Sequence, residues 1–369
     1  MRSALTLRCA LNQTMDFAKH FPPLLTLAFI IRHSATTSKT ITFSPNFEKA
    51  KSGVDKPNEH LFIHDNRIQM QTICLFIRHY FLALQFFTRI PVTGRLAAWV
   101  GYSPEMLRAS AAHFPGVGVL IGGLVAGLTA LLLAFLPSKS PLSPLVAAVL
   151  GTVFSVMLTG AFHEDGLADV ADGLGGTTAG IENRERALDI MKDSRVGAFG
   201  AIALVLVLLS KISLLALVGS ANAVAMVLGI YGAHVISRAY PLLLIRLLPH
   251  VGDVGSSKSK PLADQISIKS LIIAFLWILL AVAGVFITSA AINLIVFKLP
   301  IDYFSAIGWG IVLMLYLILP LLLSFIAFLY MLRLFSKRLQ GFTGDCLGAT
   351  QQVCEVAFYL GLALYLGLT

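Results

Sequence analysis

Three apolar runs decide what this chain can become: "AFGAIALVLVLLSKISLLALVG", "LIIAFLWILLAVAGVFITSAAINLIVF" and "IGWGIVLMLYLILPLLLSFIAFLYML". Each meets the roughly 20 residues that a helix needs to cross a bilayer. In lipid such a run satisfies its own backbone polar groups only as a helix, because the alternative, a closed barrel, requires strand-like alternation that is missing here. Charged residues are only 13% of the 369 and mean hydropathy is +0.81, too apolar for a soluble core to conceal. The chain is predicted to be all-α, a polytopic helical bundle embedded in a lipid bilayer.

Spans are predicted at 114–136, 143–161, 196–218, 221–248, 271–297, 303–332 and 352–369. Small residues recur in "GVGVLIGGLVAG", which lets helices approach closely in lipid. Ahead of the spans, "MQTICLFIRHYFLALQFFTRIPV", starting at Met70, repeats aromatic and aliphatic residues at helical spacing with Arg78 and Arg89 interposed. That pattern suits a helix lying in the interface. Residues 1–69 are mixed and polar, and their one apolar run, "PPLLTLAFII", is about half a span. They are expected to form a disordered, dispensable extension, with 70–369 a single catalytic domain; a signal peptide is disfavoured because no clear small-residue cleavage site follows the run. Cys9, Cys74, Cys346 and Cys354 lack CxxC or zinc spacing and are expected to be free thiols.

A net charge of +9 raises the question of nucleic acid, but the Lys and Arg are scattered between spans and form no solvated basic face. No nucleic-acid partner is expected. With the predicted spans, segments 78–113, 162–195, 249–269 and 333–351 fall on one side, and they hold 14 of the 19 Lys and Arg that follow residue 77, including Lys258 and Lys260. The positive-inside rule makes that side cytoplasmic.

The densest polar motif, "GAFHEDGLADVADGLGG", lies on that side. As a helix it puts Asp165, Asp169 and Asp172 within a sector of about 60°. Three clustered carboxylates repel one another unless a cation sits against them, and hard oxygen ligands suit Mg²⁺ or Mn²⁺. The competing reading is a solvated loop whose acids balance Arg184, Arg186 and Lys192, but the interleaved glycines favour close approach to a ligand. His163 falls on the opposite side of the helix and suits a hydrogen-bonding or acid–base role better than metal ligation.

Further patches follow. In "DIMKDSRVGAFG", Lys192 and Arg195 bracket Asp193 at the edge of a span, fit for phosphate oxygens or merely for snorkelling. Arg238 lies deep inside an apolar span, where an unpaired guanidinium is costly and therefore functionally suspect. Lys211 is similarly placed but could snorkel. "GFTGDCLGA" sets Thr343 and Asp345 in a glycine-rich turn ahead of the last span.

"FFTRIPV", "FPGVGVLIGG", "FHEDGLADVADGLGG", "IMKDSRVGAFG", "SRAYPLL" and "FTGDCLGA", in that order over roughly residues 70–369, resemble the adenosylcobinamide-GDP ribazoletransferase (cobalamin-5'-phosphate synthase) family. One departure is Gln340 before Gly341, where the family often has a Gly pair. The resemblance implies a Mg²⁺-dependent enzyme of the bacterial inner membrane, with its active site toward the cytoplasm. The ribose 3'-hydroxyl of α-ribazole, or of its 5'-phosphate, attacks the cobinamide-linked phosphorus of adenosylcobinamide-GDP and expels GMP. On that basis Asp165, Asp169 and Asp172 are expected to bind Mg²⁺, with Mn²⁺ a substitute. Glu164 or His163 would orient or deprotonate the attacking hydroxyl, with Asp193 among the catalytic candidates. Lys192, Arg195 and Arg238 would hold phosphates, and Asp345 would complete the metal site or position a ribose hydroxyl. An oligomer is compatible with this reading.

Two rivals compete. A CDP-alcohol phosphotransferase or polyprenyl transferase also uses aspartates and Mg²⁺, yet the DG-x-x-A-R pattern is absent, since Ala168 is followed by Asp169, and there is no DDxxD. An ion-coupled transporter would carry its charge near the midplane between repeats.

Overall fold

The computed structural model describes residues 59–177, 180–193, 195–252, 266–295 and 303–368. Expectations for residues 1–58, including Cys9, and for Lys258 and Lys260 lie outside the described residues. Secondary structure among the described residues is helical, apart from one isolated parallel bridge between His250 and Phe342. Helix α1 (Glu59–Phe87) begins before Met70, so helix formation does not wait for the apolar text to start. Short helices α2 (Gly94–Val100) and α3 (Pro104–Ser110) and a 3₁₀ turn lead into α4 (Phe114–Phe135). Then come α5 (Ser143–Thr159), α6 (Phe162–Gly175), α7 (Ile181–Lys192), α8 (Ala198–Ala221), α9 (Ala223–Ile236) and α10 (Tyr240–Leu247). Helices α11 (Ile268–Ile295), α12 (Tyr303–Arg338) and α13 (Gly344–Leu368) complete the bundle.

Six stretches among the described residues are long and apolar enough to cross a membrane: Pro104–Phe135, Ala198–Ala221, Ala223–Leu247, Ile268–Ile287, Tyr316–Arg338 and Gly344–Leu368. Helix α5 adds a seventh when paired with α6, which turns off it by 89°. At 14 residues with four acids, α6 is too short and too polar to span by itself. The architecture is the expected polytopic bundle.

The small residues of α4 act as the sequence suggests. A Cβ on Gly122 would stand 2.9 Å from the His234 side chain, and one on Gly118 would collide with the His234 carbonyl, so α4 and α9 pack backbone to backbone. Helix α1 is tied to α4, α2 and α11: Tyr80 OH donates to Gly116 O (3.5 Å), Arg78 Nε donates to Val100 O (2.9 Å), and Tyr80 stacks on Trp277 of α11 (5.2 Å). Helix α13 runs through the middle of the bundle, with Phe358, Tyr359 and Leu362 buried.

The last helix departs from expectation. It starts at Gly344 and not near residue 352, so the TGD element forms its cap and first turn. Thr350 and Gln351 fall in the predicted loop, yet with Gln352 and Glu355 they are buried side chains of this helix; Gln352 Nε2 donates to Gln351 Oε1, and Gln351 Nε2 to Glu355. Three polar segments meet at one end of the bundle. Arg338 Nη2 donates to Leu174 O (3.1 Å) and Thr177 O (2.6 Å), and Arg184 Nε donates to Leu339 O (2.6 Å). Backbone bonds Val251 N→Phe342 O (2.9 Å) and Phe342 N→Pro249 O (3.0 Å) tie the turn before α13 to the segment after α10.

Candidate active site

The α5–α6 corner sets the site. Gly160 (φ 66°) and Ala161 (φ 58°) are both left-handed, which breaks the helix and redirects the chain. Arg89 packs its side chain over Gly160, where a Cβ would stand, and its backbone N–H donates to Leu158 O (2.7 Å). The "FFTRIPV" segment thus braces the corner.

Helix α6 then buries Gly166, Leu167, Val170, Gly173 and Leu174, leaving Asp165 exposed and Asp169 half-buried. A Cβ at Gly166 would lie 2.7 Å from the carbonyl oxygen of Asp345 and 3.0 Å from its Cα. Backbone contact at this glycine therefore brings Asp165 and Asp169 of α6 to the first turn of α13, where Asp345 accepts from Thr343 Oγ1 (3.2 Å). None of the three carboxylates is paired with Lys or Arg among the described residues. Burial, then the neighbouring charges of Asp345, Asp165 and Asp172, push the Asp169 carboxyl up to about 7. Such a cluster calls for a cation. Among the described residues no group of three or more His, Cys, Asp or Glu is placed to hold a metal ion. The donor set instead suits an ion that binds one or two carboxylates and completes its shell with water and substrate phosphate, the habit of Mg²⁺.

Asp172 shares the face but is differently engaged. Its two oxygens accept from Gly197 N (2.7 Å) and Gly200 N (2.8 Å), closing the open N–H groups at the start of α8. On the loop entering α8, Arg195 grips Asp193 (2.6 Å) in solvent, and its hydrogen bonds hold that carboxyl below the usual range. Lys192 lies 3.2 Å from Asp189. Both candidate phosphate-binding cations are thus at the surface with acidic partners, beside the segment that holds Asp172.

Glu164, His163 and Arg238 face inward. Arg238 is 1% exposed, donates to His234 Nδ1 (2.9 Å) and His234 O (2.8 Å), and lies 5.7 Å over the Phe114 ring. In this arrangement it is a strut of the interior and does not reach the open end. Lys211 does not snorkel: its ammonium pairs with Glu355 (2.7 Å). Glu355 also accepts from Tyr359 OH (2.9 Å) and Gln351 Nε2 (2.7 Å). Gln352 Nε2 bridges Gln351 Oε1 (3.1 Å) and Glu164 Oε1 (3.0 Å), so the network ends one residue from Asp165. Sequence reasoning missed Gln351, Gln352, Glu355, Tyr359 and His234. A signal was present: two cations inside apolar spans demand an intramembrane carboxylate, and Glu355 is one. Cys74, Cys346 and Cys354 are free, as expected, with Cys346 fully buried against Thr343.

Fold and site together define a multi-pass helical membrane protein with a carboxylate-lined site at one end of its bundle. Residues 79–363 match the family described as cobalamin-5-phosphate synthase, and the chain belongs to that family. It is 62% identical to the adenosylcobinamide-GDP ribazoletransferase of Albidiferax ferrireducens over 289 residues, 78% of this chain and 98% of the relative. The Polaromonas sp. protein of the same name is 56% identical over 312 residues, covering 80% and 100%. That of Leptothrix cholodnii is 43% identical over 285 residues, covering 77% and 94%. No solved structure matches.

Proposed function

We propose that the chain carries out the reaction its relatives are named for: transfer of the adenosylcobinamide phosphate group from adenosylcobinamide-GDP to α-ribazole or its 5'-phosphate. The acceptor's 3'-hydroxyl oxygen bonds to the cobinamide-linked phosphorus, the bond from that phosphorus to GMP breaks, and the hydroxyl proton leaves to solvent at the open end. The products are adenosylcobalamin, or its 5'-phosphate, and GMP.

The observation that carries this reading is the meeting of Asp165 and Asp169 with Asp345 across Gly166, in a chain that is a member of this family. Mg²⁺ bound there would supply positive charge to the phosphate oxygens. Asp165 and Asp169 would hold it, with Asp345 completing the site. Asp172 fixes the start of α8 against α6, and the Glu164–Gln352 bond anchors the first turn of α6 to α13. Arg195 and Lys192 stand on the loop beside Asp172, where exchange of their acidic partners for phosphate oxygens is open to them. The site would face the cytoplasm of a bacterial inner membrane, since the basic segments cluster at the same end.

The test is direct. Purified protein in bilayers, given adenosylcobinamide-GDP, α-ribazole and Mg²⁺, should release GMP and form the joined corrinoid in equal amounts. GMP release that ignores α-ribazole, or no release at all, would overturn the reading.

A further inference from the structure

A glutamine amide accepts at one end and donates two hydrogens at the other, so a chain of such amides has a direction. The buried chain that begins at Lys211 has only one. Lys211 can only donate, which makes Glu355 the acceptor for its ammonium (2.7 Å), for Tyr359 OH (2.9 Å) and for Gln351 Nε2 (2.7 Å). Gln351 gives its second hydrogen to Ser237 Oγ (3.0 Å), and its Oε1 is left to accept from Gln352 Nε2 (3.1 Å). Gln352 must then present its nitrogen to α6 as well, and it donates to Glu164 Oε1 (3.0 Å). Both amides are buried, and turning either over would set acceptor oxygens against each other. Gln352 Oε1 is left buried with no partner, so the direction is kept even at a cost.

Among the described residues, Glu164–Gln352 is the one hydrogen bond between side chains of α6 and α13. Beside it the two helices meet through glycines: a Cβ on Gly348 would stand 3.1 Å from His163 Cα, and one on Gly166 would stand 2.7 Å from the Asp345 carbonyl oxygen. Glycines let backbones approach but make no directional bond between them. We propose that Gln352 is a positioning residue for the acidic site, holding α6 at the rotation that presents Asp165 and Asp169 to Asp345. The proposal rests on the function proposed above. The Lys211–Glu355 pair fixes the direction in which Gln352 donates, through Gln351. The interior pair thus serves the reaction without touching substrate: it sets two amides, and the amides set a helix.

Two readouts on the full chain in nanodiscs test this: Mn²⁺ affinity, from loss of the free-ion EPR signal without substrates, and thermal unfolding. Gln352→Met keeps the length of the side chain and removes both donors. Its Mn²⁺ affinity should fall about tenfold, the scale on which lost support for metal ligands acts. A plain anchor with no set direction would survive exchange of the two residues, Glu164→Gln with Gln352→Glu. The exchange keeps the charge and the bond, yet it sets a carboxylate against Gln351 Oε1, which Glu355 prevents from turning away. It should therefore lower both Mn²⁺ affinity and thermal stability. Made together with Lys211→Met and Glu355→Gln, which free Gln351 to turn, the same exchange should cost much less, so the two pairs of changes are coupled. Wild-type Mn²⁺ affinity in Gln352→Met would overturn the positioning role. An exchange that behaves like wild type, or that costs the same in both backgrounds, would show that the Lys211–Glu355 pair sets no direction. Failure of the acidic site itself would show as absent Mn²⁺ binding in wild type, whereas failure of the proposal shows only in the variants.

Discussion

Lys211 and Glu355 meet at 2.7 Å in the interior of the bundle, their side chains 2% and 1% exposed. Neither can reach water, so each charge depends on the other. Removing one partner strands a buried charge, at about 3–5 kcal/mol, while replacing both is far milder. Lys211→Met and Glu355→Gln should therefore each sharply lower the thermal stability of the purified protein. The double variant should recover most of the loss. Additive losses in a double-mutant cycle would break the pairing.

Asp169 stands among Asp165, Asp172 and Asp345, with no Lys or Arg paired to it among the described residues. Asp169→Asn keeps the shape and removes the charge. Turnover should fall by at least about 10²-fold, the scale of losing one electrostatic contact to a transition state. Membrane insertion and stability should be retained, because the substitution also removes repulsion. Near-wild-type GMP release at limiting Mg²⁺ would show that the carboxylate does not serve a cation.

Asp172 makes a separate forecast. Asp172→Ala uncovers the Gly197 and Gly200 N–H groups and should cost about 1–2 kcal/mol, as lost helix caps do. Asp172→Asn keeps one acceptor oxygen and should cost less. If both variants unfolded like wild type but lost Mg²⁺ dependence, Asp172 would serve the ion and not the helix.

The spans were legible because lipid imposes one rule on backbone and side chains alike, and the acidic face of α6 followed from helical geometry applied to Asp165, Asp169 and Asp172. What the sequence hid was partnership across the bundle. Glu355 is an isolated acid in an apolar run, and nothing nearby in the chain announces Lys211, since the two meet only when α8 packs on α13. Gln351 falls in the predicted loop for the same reason. Asp172 was on the right face, but its engagement with α8 depends on where that helix begins in space.

Gln340 sits at φ 54°, left-handed backbone for a residue with a side chain, just before the TGD turn. Side chains pay about 1 kcal/mol there, and β-branched ones more. Gln340→Gly should be neutral or stabilising, with activity kept. Gln340→Val should lower stability, and equal behaviour of the two variants in thermal unfolding would contradict the strain.

Gly166 is where the two halves of the acidic site touch, so adding one methyl group there tests the site as a packed object. A Cβ would stand 2.7 Å from the Asp345 carbonyl oxygen and 3.0 Å from its Cα, backbone atoms that cannot swing aside. Gly166→Ala must therefore push α6 away from α13 and part Asp165 and Asp169 from Asp345. Gly123 and Gly127 of α4 provide the control, since a Cβ at either meets nothing within 4 Å. Alanine there should be tolerated or slightly stabilising, in line with the roughly 1 kcal/mol preference for Ala over Gly in a helix. The same helical gain acts at residue 166, so the contrast isolates the clash. The expected result is full activity in Gly123→Ala and Gly127→Ala and a loss of turnover in Gly166→Ala with the protein still inserted. Wild-type turnover in Gly166→Ala would mean that chemistry does not require α6 and the first turn of α13 to stay in contact, and Asp345 would then have no place beside Asp165 and Asp169.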